Sequence, residues 1–331
     1  MNTFKPLAAL ALGILVCVPA PAAQSDGFVQ PRALYSVDGV LFDTLEAAPA
    51  SISLNGQSVS GAMLYNNRLP GTVWRVKPGD RLRLALSNKL PGQSTNLHFH
   101  GLHVDPSNWS DNVFAEIPSG ATRSYVVNVP TSHNGGLNWY HPHFHGNSND
   151  QVNRGLAGLI VIEGDTDQLP EVRGLEERLM ALEYLRIEAG EIKPMQGTTN
   201  AVQLVNGALN PAMRARPGET QFFRVGNTSN SGWFKLAVDG HRMRVLAEDG
   251  NAYTEATDVD SFLLPPGKRV EFLVQFQQPG TYAIRNQGYV WSGAGGQTPA
   301  ATLATVSVNA TRFPLEPCRP ASRIASSAAA C

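Results

Sequence analysis

Cysteine is almost missing from this chain of 331 residues, which contains only three. Cys17 lies near the N-terminus, and Cys318 and Cys331 lie in the C-terminal tail. The two tail cysteines could pair in an oxidising compartment. Because no cysteine lies between residues 18 and 317, the core cannot be cross-linked by disulfide bonds.

The chain also lacks an excess of positive or negative charge. It has 26 Lys and Arg residues and 27 Asp and Glu residues, which gives a net charge of −1. This balance argues against broad electrostatic binding to nucleic acid or to an anionic membrane surface. No apolar run is long enough to form a transmembrane helix. Nucleic acid and a membrane span are therefore not expected.

A short apolar run at the N-terminus predicts export. Lys5 precedes apolar residues 7–18, and small residues at 20–23 offer a cleavage site. Residues 1–23 are therefore predicted to be a signal peptide, and the mature protein is expected in the periplasm or outside the cell. Cys17 is interpreted as part of the signal core, because Val16 precedes it where a lipoprotein usually has a small residue.

Glycine and proline are plentiful, with 31 and 23 residues, and they punctuate strand-like stretches. Residues 82–86 and 269–276 alternate between apolar and polar, which is typical of strands. Short strands separated by turns at regular spacing predict an all-β sandwich or barrel. Periodicity does not decide whether residues 171–187 form a short helix or a strand.

The chain contains an internal repeat. Arg75-Val-Lys-Pro-Gly-Asp resembles Arg214-Ala-Arg-Pro-Gly-Glu, and Ile117-Pro-Ser-Gly resembles Leu264-Pro-Pro-Gly, at offsets of 139 and 147 residues. The conserved order predicts two copies of one β-domain. The predicted bounds are 24–166 for the first domain and 167–309 for the second, and residues 310–331 have little to bury and are predicted to be disordered.

Seven of the eight histidines fall between residues 98 and 145. They include the pairs His98-Phe-His100 and His141-Pro-His143. On a strand, residues i and i+2 point to the same face, about 7 Å apart at ~3.3 Å per residue. Two facing pairs would present four imidazoles, which suit copper or zinc, and copper is favoured because no carboxylate or thiolate is interleaved.

The surrounding residues carry a family resemblance. Asn96-Leu-His-Phe-His-Gly-Leu-His and Asn138-Trp-Tyr-His-Pro-His-Phe-His-Gly resemble the two copper motifs of the first cupredoxin domain of multicopper oxidases, such as laccases, ascorbate oxidase and bilirubin oxidase. The resemblance covers residues 30–309. It implies two tandem cupredoxin-like Greek-key β-sandwich domains. The family reaction is oxidation of phenolic, aromatic or metal-ion reductants, coupled to reduction of dioxygen to water.

The resemblance also implies roles for individual residues. His98 is similar to the type 2 copper ligand, and His100, His141 and His143 are similar to type 3 ligands of the trinuclear cluster. Asp111 lies near the family's acidic residue that helps to deliver protons to oxygen, although an ordinary turn aspartate is the alternative.

The remaining histidines are not expected to be ligands. His103 and His145 match positions that flank the motifs, so supporting or surface roles are expected. His133 is expected to be solvated in a turn, and His241 is expected to make a structural hydrogen bond.

The resemblance further implies ligands that this chain does not supply. The family's type 1 copper is held by two histidines and a cysteine, but no histidine follows His241, and neither Cys318 nor Cys331 has a histidine neighbour. A type 1 site is therefore not expected in residues 242–331. A truncated oxidase is one explanation, and a homo-oligomer or a separate chain that supplies the missing copper ligands is another.

Two other functions fit the sequence. One is a non-catalytic exported protein that binds copper for storage, buffering or delivery. The other is an interaction module that keeps the cupredoxin scaffold without metal. Retention of all four first-domain histidines argues against the latter.

Overall fold

Strands dominate the computed structural model, which describes residues 27–194, 201–292 and 296–309. The predicted signal peptide and the predicted disordered tail lie outside these residues. Within the described ranges, no helix is both long and apolar enough to cross a membrane. The all-β prediction is confirmed, because among the residues that the structure describes only two short helices accompany the strands.

The first half contains nine strands and both helices. They are β1 (Ala33–Tyr35), β2 (Val40–Leu54), β3 (Gln57–Tyr65), β4 (Gly71–Val76), β5 (Arg81–Asn88), β6 (His98–His100), β7 (Thr122–Asn128), β8 (Gly136–His141), α1 (Ser148–Asn153), β9 (Gly158–Ile162) and α2 (Asp165–Gln168).

In the described residues of the second half, all the regular elements are strands. They are β10 (Glu176–Glu188), β11 (Glu191–Lys193), β12 (Ala201–Val205), β13 (Ala212–Ala215), β14 (Glu219–Asn227), β15 (Phe234–Val238), β16 (Met243–Glu248), β17 (Asn251–Val259), β18 (Phe262–Leu264), β19 (Arg269–Phe276), β20 (Gly280–Asn286), β21 (Tyr289–Ser292), β22 (Gly296–Thr298) and β23 (Ala301–Val308).

The two halves share one strand arrangement. In the first half, β2 runs parallel to β5, which pairs antiparallel with β7, and β10, β14 and β19 repeat this order in the second half. Likewise, the series β4, β9, β8 and β6 recurs as β13, β23, β20 and β15. The sequence repeat therefore has a structural counterpart. The predicted boundary between residues 166 and 167 falls within α2, and it stays a prediction.

Residues 171–187, which periodicity left undecided, mostly form strand β10. This strand pairs in parallel with β14 from Glu176 to Leu182 and antiparallel with β12 from Leu182 to Arg186. It is central in its sheet, and its middle residues are buried without alternation. A strand that is buried on both faces loses the period of two that would identify it from sequence.

The core of the first half lies between two facing sheets. Leu82, Leu84 and Leu86 alternate inward along β5 and meet Phe99, Tyr140 and aromatic or aliphatic residues of the opposite sheet. Each sheet thereby buries one apolar face, which is what stabilises a sandwich. A separate cluster, drawn from Phe28 and from residues 180–308, forms the core of the second half.

A third apolar cluster joins the halves. Every residue of β9 is buried, because Ile160 and Ile162 enter the first core while Leu159 and Val161 point the other way. Those two residues cluster with side chains of β10 from the second half. The outer face of β9 and β8 is therefore covered by the second half.

Glu183 on β10 is a carboxyl buried in this fold, with only 3% of its surface exposed. One oxygen accepts a hydrogen bond from the Gly207 N–H at 3.2 Å, and the other has no partner within the part of the chain described. Burial raises the pKa of Glu183 to about 8, against a partial lowering by the Gly207 hydrogen bond. In the folded protein at neutral pH, the protonated form of the Glu183 carboxyl is therefore favoured.

We expect Glu183→Gln to stabilise the protein under mildly alkaline conditions and to have little effect in acid. The folded pKa lies above the unfolded value of 4.5, so the stability linked to this group is complete below that value and is lost as pH rises toward about 8. A neutral isostere removes this loss, which is on the order of 2–4 kcal/mol near the upper end of the range. Thermal unfolding of both proteins across this range measures the difference.

Glu255→Gln is the matched control, because Glu255 is exposed on β17. It should leave the pH profile of unfolding unchanged. A Glu183→Gln profile parallel to that of the wild type at every pH would contradict the buried-carboxyl account.

Candidate metal centre

Strand β6 places two histidines on one side of a sheet. Its three residues alternate, so that Phe99 enters the first core while His98 and His100 point to the opposite face. On β8 and β9, that face is covered by the second half of the chain. The same-face prediction for His98 and His100 is therefore confirmed by the strand geometry.

Strand β8 brings a third histidine beside them. β6 and β8 are antiparallel, with His98 opposite His141 and His100 opposite Trp139. The rings of His98 and His141 are 5.2 Å apart, and those of His100 and His141 are 5.5 Å apart. His141 is 7% exposed and stacks on Trp139 at 4.0 Å. The pairing of β6 with β8 thus brings together histidines that are some 40 positions apart in the sequence.

The three rings present nitrogen atoms to one another. One nitrogen from each of His98, His100 and His141 lies within 4.8 Å of the others. His100 Nδ1 is 3.3 Å from His141 Nε2. Two nitrogens bound to one metal at ~2.0 Å, in a tetrahedral arrangement, would be separated by about this distance. The spacing therefore fits shared coordination as well as it fits a hydrogen bond.

Hydrogen bonds at the far nitrogens set the tautomers of two rings. His98 Nδ1 is 2.8 Å from Asp111 Oδ1, so its N–H donates to the carboxylate and leaves Nε2 free. His141 Nδ1 is 2.9 Å from the carbonyl oxygen of Pro142 and donates in the same way. Asp111 is itself held, because its Oδ1 also accepts the Phe99 N–H at 2.9 Å. Metal-ligating histidines are commonly oriented by such partners.

The surroundings keep the inner rings neutral. Burial, together with the positive charge of Arg269, lowers the pKa of His100 to about 4. Burial also holds the pKa of His141 well below its ordinary value, with a smaller contribution from His98. A neutral imidazole has a lone pair for a metal, so both residues are ready to bind one at neutral pH. Three imidazole donors without a carboxylate or thiolate among them suit copper.

His143, the fourth predicted ligand, lies at the edge of this group. β8 ends at His141, directly before Pro142, which has no backbone N–H to donate to a neighbouring strand, and His143 is exposed just beyond it. Its ring is 5.2 Å from that of His98 and 6.0 Å from that of His141. Its backbone N–H donates to Asn96 Oδ1 at 2.6 Å, which fixes the loop. The structure thus groups three of the predicted ligands closely and places the fourth beside them.

The other histidines lie apart from this centre. The prediction of a solvated His133 is wrong: His133 is only 8% exposed, and its Nε2 accepts the backbone N–H of His103 at 3.0 Å. His103 and His145 are exposed. His241 donates from Nδ1 to the Asp239 carbonyl oxygen at 2.7 Å, in agreement with the predicted structural hydrogen bond.

Three residues around the centre were not anticipated from the sequence. Asn96 anchors the His143 loop, and its amide also donates to the carbonyl oxygens of Val113 and Ala115. Gly267 and Arg269 come from the second half and lie behind His100 and β8. Two of them carried a signal in the sequence: Asn96 opens the first copper-like motif, and Gly267 ends the Leu264-Pro-Pro-Gly turn that marks the repeat.

Two family models match this chain, and both are described as multicopper oxidase. One matches residues 46–167 and the other matches residues 175–310. Each model covers one of the two halves that share the strand arrangement. Together they account for most of the chain.

Known proteins agree with these models. A fungal protein named Laccase-1, from Thanatephorus cucumeris, is 26% identical over 72% of this chain and 44% of its own length. The multicopper oxidase of Staphylococcus haemolyticus is 25% identical over 71% of this chain and 53% of its own length. The chain thus spans about half the length of these curated relatives.

A solved structure extends the agreement to the fold. The laccase-like multicopper oxidase of an Ochrobactrum species superposes with a TM-score of 0.71 at 25% identity, covering 86% of this chain and 64% of that one. The cupredoxin fold expected from the resemblance is therefore confirmed. Family models over both halves, curated relatives and solved structures all lead to one assignment: the chain belongs to the multicopper oxidase family.

Proposed function

We propose that His98, His100, His141 and His143 hold copper, and that this chain supplies half of the copper cluster of an oxidase. The observation that carries the proposal is the convergence of three imidazole nitrogens within 4.8 Å. Two of these rings are held from behind by Asp111 and by the Pro142 carbonyl. Such bonds leave Nε2 of His98 and of His141 available to a metal.

The residues divide this task between them. His100 and His141 would share one copper, because their facing nitrogens are 3.3 Å apart, and His98 would bind a neighbouring one through Nε2. His143, exposed at the rim, would complete the set. Copper bound here would transfer electrons to dioxygen, which is chemistry that protein side chains do not supply themselves. The protein's part is to hold the ligands neutral and correctly oriented.

The reaction that we propose is oxidation of a phenolic, aromatic or metal-ion reductant coupled to reduction of dioxygen to water. The family assignment and the names of the relatives support it, since they include laccases and an iron transport multicopper oxidase from Epichloe festucae. The Ochrobactrum enzyme is described as acting on lignin model compounds and lignosulfonate. Export to the periplasm or the cell exterior belongs to the same proposal.

A complete oxidase needs ligands beyond those of the two halves. The chain contains no histidine after His241, so a type 1 copper and the other half of the cluster require residues from elsewhere. We propose that another copy, a separate chain or a further segment supplies them. The exposure of His143 supports this, because it leaves one side of the cluster accessible.

Copper binding without catalysis is the second candidate function. The three clustered rings belong to one chain and one sheet, so they can hold a copper ion without any partner. A storage or delivery protein needs no more than this. Oxygen uptake in the presence of an aromatic reductant separates the two functions.

We expect the purified chain to bind copper, and His98→Ala and His141→Ala each to lower the amount bound, because each removes a clustered nitrogen donor. Titration with copper, followed by metal analysis after desalting, measures the stoichiometry. His241→Ala is the control, since His241 lies outside the cluster and bonds to Asp239. Wild-type stoichiometry in both ligand variants would exclude copper binding at this site.

We expect Asp111→Ala to weaken copper binding by about 10–100-fold, because loss of a partner that orients a ligating histidine typically has this effect. Asp111→Asn should retain most of the affinity, since the amide oxygen can still accept the His98 N–H. Competition with a copper chelator measures both values.

The same pair of variants tests the proton-delivery role of Asp111. In an assembled oxidase, Asp111→Asn should slow oxygen uptake although copper is retained, because an amide cannot carry the proton. Full oxygen uptake by Asp111→Asn would assign Asp111 to orientation of His98 alone.

We expect the copper-loaded chain to lack the intense blue colour of a thiolate-bound type 1 copper. Such a site needs a cysteine beside histidines, and no histidine neighbours Cys318 or Cys331. The visible absorption spectrum measures this directly. An intense blue band from the chain alone would refute the proposed need for outside ligands.

A further inference from the structure

Arg269 is a buried arginine that reaches from the second half of the chain to the strand that carries His141. It begins β19 and is 4% exposed. Its Nε donates to the Leu137 carbonyl oxygen at 3.1 Å, and its Nη2 donates to Asn138 Oδ1 at 3.3 Å. Both acceptors belong to β8, so one guanidinium holds the backbone and a side chain of that strand.

The same guanidinium holds a turn that lies against His100. Its Nη1 donates to the Gly267 carbonyl oxygen at 2.9 Å. A Cβ atom at Gly267 would lie 3.0 Å from His100 Cε1 and 3.6 Å from Trp139 Cζ2. The backbone of Gly267 therefore forms one wall of the space that the His100 ring occupies.

A second turn of the same half supports this arrangement. Asp249 accepts the Arg269 backbone N–H at 2.9 Å and lies 3.2 Å from Nη1, so the buried charge is balanced. The adjacent Gly250 packs on β8, since a Cβ at Gly136 would approach its Cα to 2.7 Å. The turns that contain Gly250 and Gly267 thus both pack beside β8, and Arg269 contacts both of them.

We propose that Arg269 is a positioning residue for the copper centre: by joining β8 to the Gly267 turn, it holds the ring of His100 beside the ring of His141. The second half, which has no clustered histidines of its own, thereby sets the geometry of the site in the first half. Only the identity of the metal rests on the function proposed above. The positioning of the His100 ring by Arg269 is a separate claim, and it applies to the metal-free protein as well.

Arginine suits this task for a chemical reason. The guanidinium is planar and offers five N–H donors in a fixed geometry, so it can satisfy Leu137, Asn138 and Gly267 together. A lysine presents a single flexible ammonium group and cannot reproduce the three directions. The positive charge also contributes to the low pKa of His100, after the effect of burial.

The test compares Arg269→Gln and Arg269→Lys with Gly267→Ala, which leaves the guanidinium intact and pushes on His100 directly. Arg285→Gln is the control, because Arg285 is an exposed second-half arginine paired with Asp239. Protein labelled with ¹³C and ¹⁵N at histidine gives ring resonances for His100 and His241 without metal. Chelator competition then gives the copper affinity of each protein.

We expect the His100 ring signal to shift or broaden in all three test variants, while the His241 signal stays as in the wild type. Copper affinity should fall about tenfold or more, which is typical for loss of an outer partner of a ligand. Arg285→Gln should change neither the His100 signal nor the copper affinity, because Arg285 contacts Asp239 and not the copper centre. A merely structural arginine would disturb His241 and His100 alike or leave both unchanged.

Unchanged His100 signals and copper affinity in the variants would overturn the proposal. If Arg269→Gln does not fold, Gly267→Ala and Arg269→Lys carry the same comparison. If the wild-type chain binds no copper, the proposed function fails, but the ring signals of the metal-free proteins still decide whether Arg269 positions His100.

Discussion

The antiparallel pairing of β6 with β8 is the contact on which the candidate centre depends. It places His98 directly opposite His141, on the face that points away from the first core. Because side chains alternate along a strand, a slip of one residue would turn these rings into the core and Phe99 out of it. The buried Phe99 and Tyr140 therefore specify the register, and the apolar core fixes the position of polar ligands on the reverse side.

Burial then prepares these rings chemically. An imidazole taken from water loses its preference for the charged form, and this is the leading cause of the lowered pKa of both His100 and His141. The same burial would be costly if both nitrogens of each ring were left without partners. Asp111 and the Pro142 carbonyl satisfy one nitrogen of His98 and of His141. The remaining nitrogens are the ones that a metal can satisfy.

The sequence was sufficient to predict features that depend only on neighbouring residues along the chain. Alternation along a strand was enough to place His98 and His100 on one face. Contacts between distant residues were beyond it: the fit of Asn96 to the His143 loop and the reach of Arg269 to β8 depend on tertiary packing. His133 was misjudged for the same reason, because its turn sequence does not reveal that the His103 backbone caps its ring.

The repeated strand arrangement explains how one half can serve the other. The same strand order yields a ligand-bearing face in β6 and β8, whereas the equivalent β15 and β20 carry no histidine. The second half instead presents turns, and turns containing Gly250 and Gly267 can approach a neighbouring strand more closely than side chains allow. The second half thus forms a closely packed wall behind the candidate centre. Because the packing of the surrounding residues governs how well ligands are held before metal arrives, the turns of the second half and the four histidines of the first half belong to one arrangement.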